Sequence, residues 1–167
     1  AEEAYNQTPT SPTSLQTEGT SNPQTVTDTT PEFSAIFNDP DTGDTSNYYQ
    51  IQVNTNSSFT GTVMWNSNKT SMTSTSNGSR SPQISYAGST LTLNGSTYYW
   101  RIKFWDVGGL ESPWSSTANF KLDTIPTAPT SLYTEGSTNP TKVTDLTPEF
   151  SAIFNDPDTG DTSNYYQ

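Results

Sequence analysis

The chain has 167 residues, 17 acidic and 6 basic side chains, a net charge of −11, and neither cysteine nor histidine. That balance excludes binding to nucleic acid and to anionic membrane surfaces, which both need clustered Lys and Arg. It also excludes disulfides, thiolate catalysis, imidazole bases and Cys- or His-ligated zinc.

Apolar residues make up 28 % of the chain and aromatics 12 %, on a background rich in Thr and Ser. Large rings therefore supply much of the core volume, and the composition favours strands over helices. No apolar run reaches a membrane-spanning length, so no membrane insertion is expected. The segment TPEFSAIFNDPDTGDTSNYYQ occurs twice without change, at Thr30–Gln50 and Thr147–Gln167, an offset of 117 residues. Between Pro12–Thr29 and Pro129–Leu146, twelve of eighteen positions also match. A repeat of that length sets the architecture: one domain per unit, in tandem.

In chain order, residues 1–11 are polar and aperiodic and read as an N-terminal leader or linker. The first domain is expected at 12–123, a Pro-containing linker at 124–129, and the N-terminal part of a second, incomplete repeat at 130–167. Leu15 opens an edge strand. Phe33, Ala35 and Phe37 alternate, as do Tyr49, Ile51 and Val53, so each set faces a core. Val63-Met64-Trp65 is a short strand, and residues 66–82 read as a long surface loop or weak edge. Ile84 and Tyr86 alternate, then Leu91 and Leu93. Tyr98, Trp100, Ile102 and Phe104 form the strongest inward face, with Tyr99, Arg101, Lys103 and Trp105 outward. Phe120 and Leu122 close the unit. The pattern predicts about seven antiparallel strands in an all-β sandwich.

The run LTLNGSTYYWRIKFWD at Leu91–Asp106, followed by Gly108-Gly109-Leu110-Glu111-Ser112-Pro113-Trp114-Ser115, resembles the end of a fibronectin type III domain. With DPDTGD between its second and third strands, the chain is similar to tandem modules of bacterial and archaeal extracellular proteins, and to modules beside secreted glycosidases. The resemblance implies an immunoglobulin-like sandwich with a tyrosine corner at Tyr98 or Tyr99. Tyr98 fits better, because turning Tyr99 inward would draw Arg101 and Lys103 into the core.

One constellation carries candidate chemistry. Asp39, Asp41 and Asp44 cluster around Gly43, and Asp156, Asp158 and Asp161 repeat the arrangement. Calcium takes oxygen ligands, mostly carboxylates and carbonyls, so these six residues are candidate calcium ligands. The plainer reading is an Asp-Pro-Gly turn whose side chains bond nearby amides. Five Asn-X-Ser/Thr sequons, at Asn6, Asn56, Asn68, Asn77 and Asn94, are candidate glycosylation sites. Trp65, Trp105 and Trp114 are candidates for a carbohydrate-binding platform, against core packing as the plainer role. Asp106 and Glu111 are a pair of carboxylates, but a small sandwich offers no cleft for a glycosidase reaction, and no enzyme is expected.

These readings predict a structural repeat module of an extracellular or cell-surface fibre, stalk or adhesin, acting as a spacer. The alternative is an accessory carbohydrate-binding module of a secreted polysaccharide-degrading enzyme. Expected partners are neighbouring copies of the same domain or chain, and surface glycans. The second unit lacks the strand that should fill its core. It is expected either as a window onto a longer array or as a half-sandwich completed by strands of another chain in trans.

Overall fold

The computed structural model describes residues 5–158 and 160–167. The first unit contains β1 (Thr10–Thr17), β2 (Glu32–Asn38), β3 (Thr45–Asn54), β4 (Val63–Asn66), β5 (Thr70–Ser76), β6 (Ile84–Ser85), β7 (Thr97–Asp106) and β8 (Ala118–Lys121). The two longest strands, β3 and β7, carry the cleanest apolar alternation and pair antiparallel, from Ser46 opposite Asp106 to Asn54 opposite Tyr99. β8 extends this sheet beyond β7, while β4 and β5 share the other edge of β3. The second sheet runs β1-β2-β6. The result is the expected all-β sandwich of immunoglobulin type.

Its core is aromatic. Phe33, Phe37, Trp100, Phe104 and Phe120 are fully buried, with Ile51, Val53, Ile102 and Leu122 between them. Phe33 is the hub, its ring centroid 4.7 Å from Trp100, 5.6 Å from Phe120 and 6.3 Å from Trp65. Phe37 meets Phe104 edge-on at 5.9 Å. Burying each such ring stabilises the fold by about 2–3 kcal/mol. Tyr98 is buried and stacks on Phe120 at 5.6 Å, so the inward tyrosine is Tyr98, as expected.

One alternative is decided and one expectation fails. Of the two readings of residues 66–82, the weak edge holds for Thr70–Ser76, since β5 pairs with β3 from Thr45 opposite Ser76 to Tyr49 opposite Thr70. β5 is an edge strand whose sequence TSMTSTS buries little, so no apolar period marks it. Leu91 and Leu93 form no strand, although Leu91 is buried in the core.

The second unit begins with β9 (Thr127–Thr134) and β10 (Phe150–Asn155), a pair that reproduces β1–β2 in detail. Phe33 opposite Thr17 becomes Phe150 opposite Thr134, and Ile36 opposite Thr13 becomes Ile153 opposite Thr130. Even the left-handed residue that disturbs the first strand recurs, Ser14 at φ 50° and Ser131 at φ 51°. Sequence identity does not carry further. Thr45–Gln50 are strand, whereas the same six residues at 162–167 are not, and no counterpart of β7 lies beside them among the described residues. Leu132, Phe150 and Phe154 instead line an open trough of about 930 Å³.

Candidate functional site

The acidic loop follows β2 directly. Asp39 is nine-tenths buried, and its Oδ1 accepts the Asp41 amide at 2.8 Å, closing an Asx turn. Gly43, at φ 90°, completes the reversal that a side chain would strain. The loop is held from outside by Asn77 at the end of β5. Its Oδ1 accepts the Asp39 amide at 2.9 Å, and its Nδ2 donates to the carbonyls of Asp39 and Asp41 at 2.6 and 3.2 Å.

The expected ligand set is only partly assembled. Asp39 and Asp44 converge with Asp106, each bringing one carboxylate oxygen within 4.8 Å of the others. Asp106 arrives through the β3–β7 register, which places it opposite Ser46. Its Oδ1 accepts the Leu110 amide at 2.8 Å and its Oδ2 the Asn6 side-chain amide at 3.1 Å. Asp41 turns away, its two oxygens taken by the amide and side chain of Gln7 at 2.6 and 2.8 Å. Burial pushes the Asp39 carboxyl above its ordinary range, against the Asp41 amide, and the charges of Asp44, Asp41 and Asp106 push the same way. Asp44 is raised by burial and by Asp106 and Asp41.

The second copy makes a different cluster at the joint between the units. Asp158 and Asp161 meet Asp123, which follows β8 of the first unit, again with oxygens within 4.8 Å. Asp156 is outside this cluster; its Oδ1 accepts the Asp158 amide at 2.8 Å, as Asp39 does for Asp41. Thr124 donates its amide and hydroxyl to Asp158 at 2.9 and 2.8 Å, which holds that carboxyl below its usual range. Gln7 and Thr124 are 117 residues apart, so the residue ahead of each unit docks on the same aspartate of its loop. Burial raises Asp123, with Asp158 and Asp161 adding to it.

The tryptophans divide. Trp65 is buried and packs edge-on against Tyr86 at 5.4 Å, so it belongs to the core and cannot present its face to a sugar. Trp105 and Trp114 lie on the outer face of the β3–β7 sheet in an alternating stack of rings and cations. Phe59 and Trp114 flank Arg101 at 4.1 and 4.5 Å, and Trp114 and Trp105 flank Lys103 at 4.8 and 5.1 Å. Lys69 then lies 4.9 Å from both Trp105 and Tyr48. Each contact is worth about 0.5–1 kcal/mol at an exposed site. A sugar stacking on either indole would compete with these cations. The cover also explains why Trp105, outward on its strand, is only 8 % exposed.

Trp114 is carried by the segment after β7, which bonds to that strand without being strand itself. Ser112 and Ser115 accept the amides of Phe104 and Ile102 on their hydroxyls, both at 3.1 Å, and donate their own amides to the carbonyls of the same two residues. Glu111 is exposed and pairs with Lys103 at 3.3 Å, so it forms no carboxylate pair with buried Asp106. Of the sequons, Asn6, Asn56, Asn68 and Asn94 are exposed, whereas the Asn77 amide is committed to the acidic loop.

Residues 12–124 match the family model described as Rha78A-like, N-terminal immunoglobulin domain. The chain belongs to that family. As an immunoglobulin-like domain of this family, the module is non-catalytic. A comparison with curated proteins finds no match. Among solved structures the chain is similar to the Streptomyces avermitilis α-L-rhamnosidase complexed with L-rhamnose, with TM-score 0.60 and 22 % identity over 70 % of this chain and 11 % of that one. It is similar also to the Dictyoglumus thermophilum α-L-rhamnosidase, with TM-score 0.60 and 21 % identity, covering 89 % of this chain and 17 % of the other. The Aspergillus terreus enzyme gives TM-score 0.50 and 17 % identity over 81 % and 14 %. At these identities the likeness is one of fold, and the chain spans a small part of each enzyme's length. The family replaces the fibre or adhesin as the leading context for this immunoglobulin-like module. No helix among the described residues is long and apolar enough to cross a membrane.

Proposed function

We propose that this chain is an accessory immunoglobulin-like region of a secreted glycoside hydrolase of the α-L-rhamnosidase class, and that it works as a spacer. The observation that carries the reading is the family match over residues 12–124, a family described by its N-terminal position in such proteins. The repeat adds to it. A second copy of the β1–β2 pair in the same register, docked through Thr124, is what a serial arrangement of modules requires. Stability in such an array is mostly local to each module and its neighbour. The net charge of −11 favours solubility in an exposed, extracellular setting.

A sugar-binding role is weaker than a spacing role, because Trp65 is internal and Trp105 and Trp114 are engaged with Arg101, Lys103 and Lys69. The test uses the longest natural polypeptide that contains this chain, assayed for rhamnose release from an aryl α-L-rhamnoside. That polypeptide should release rhamnose, and the 167-residue chain should neither release it nor change its tryptophan emission when rhamnose-containing polysaccharide is added. A parent polypeptide without rhamnosidase activity that assembles into filaments under the electron microscope would overturn the reading.

A further inference from the structure

We propose that the acidic loop is a calcium site built from Asp39, Asp44 and Asp106. The cluster of carboxylates alone would not carry this, since an Asx turn accounts for Asp39 Oδ1. What the turn leaves over is Oδ2. Asp39 is 9 % exposed, and its Oδ2 is buried with no hydrogen-bond partner, as is Oδ2 of Asp44. A buried, unpartnered carboxylate oxygen costs free energy unless something binds it. No lysine or arginine pairs with the cluster among the described residues, where the one ion pair is Lys103–Glu111. A cation is the partner that the geometry lacks.

The chemistry selects the ion. All the donors are oxygens, as calcium and magnesium require, and the chain has no cysteine or histidine to offer a transition metal. Calcium accepts irregular sets of carboxylate and carbonyl oxygens, whereas magnesium demands near-ideal octahedral geometry and gives up its waters reluctantly, so a cluster of protein carboxylates suits the larger ion. Asn77 fixes the loop backbone from β5, and Asn6 and Leu110 fix Asp106, so the donors are held in place before an ion arrives. The cluster at the joint differs: none of its oxygens is buried without a partner among the described residues, and Thr124 holds both oxygens of Asp158 as Gln7 holds those of Asp41.

Isothermal titration of the EDTA-stripped chain with calcium chloride tests this, with magnesium chloride as the comparison. The expectation is one calcium ion per chain, with a dissociation constant of roughly 10⁻⁴–10⁻³ M as in extracellular modules, and weaker binding of magnesium. Asp39→Asn should abolish this binding, while Asp41→Asn keeps it. Asp39→Asn relieves an unpartnered buried charge, so in EDTA its melting temperature should equal or exceed that of the parent while its calcium-induced rise shrinks. No heat and no melting shift at millimolar calcium would overturn the proposal, and so would undiminished binding by Asp39→Asn.

Discussion

Tyr86 is 6 % exposed, and its hydroxyl lies 2.7 Å from the Ser89 carbonyl and 3.0 Å from that of Met64. Both neighbours accept a proton and neither can donate one, so a phenolate here would lose its bond as well as its solvation. Burial, with a small contribution from Tyr98, pushes its pKa up from 10.0 to about 12. The folded state therefore holds this proton at pH values where the unfolded chain has released it. Stability from this group is fully present below pH 10 and declines as pH rises towards about 12, a loss on the order of 2–3 kcal/mol. A tyrosinate absorbance titration should show a late component near pH 12 that is absent from Tyr86→Phe. The variant's unfolding free energy should also fall less steeply across that interval. Persistence of the late component in the variant would assign it to another tyrosine.

At the scale of strands, the exact repeat supplies an internal control. Phe33 and Phe150 occupy the same place in β2 and β10, opposite Thr17 and Thr134, yet one is fully buried and the other 77 % exposed. Phe33→Ala should cost about 3–5 kcal/mol, and Phe150→Ala less than about 0.5 kcal/mol. Urea unfolding followed by far-ultraviolet circular dichroism reads both, while tryptophan emission, with Trp100 4.7 Å from Phe33, reports on the first unit. An equal cost at Phe150 would mean that a partner covers β10 in solution. The same comparison shows what strand patterning makes legible. Alternation identified the inner faces of β2, β3 and β7, because burial on one side of a pleat leaves a period of two. It left β5 open between a loop and a weak edge, because that strand is polar on most positions. For the acidic loop, residue type pointed to Asp39 and Asp44. Asp106 joins them only through the β3–β7 register, and Asp41 is lost to Gln7, neither of which a local pattern records.

For the molecule as a whole, the decisive region is the joint, where two prolines limit the backbone and a few polar contacts set the angle. Thr124 bridges the units: its hydroxyl lies 3.4 Å from the Leu93 carbonyl on one side and 2.8 Å from Asp158 on the other. Gly95, at φ 75°, sits on the first unit where Asp158 approaches, and a Cβ there would lie 2.5 Å from Asp158 Oδ1. A side chain at this position is strained twice, by its backbone conformation and by that carboxylate. Gly95→Val should therefore cost about 1–3 kcal/mol locally and push Asp158 off Thr124. Amide hydrogen exchange separates the two effects. The Thr124 amide, which depends on Asp158, should lose its protection, while the Ile102 amide, bonded to Ser115 inside the first unit, keeps most of its own. Retained protection at Thr124 would mean that the prolines alone set the angle, and that the carboxylate contact repeated 117 residues apart is a consequence of that angle rather than its cause.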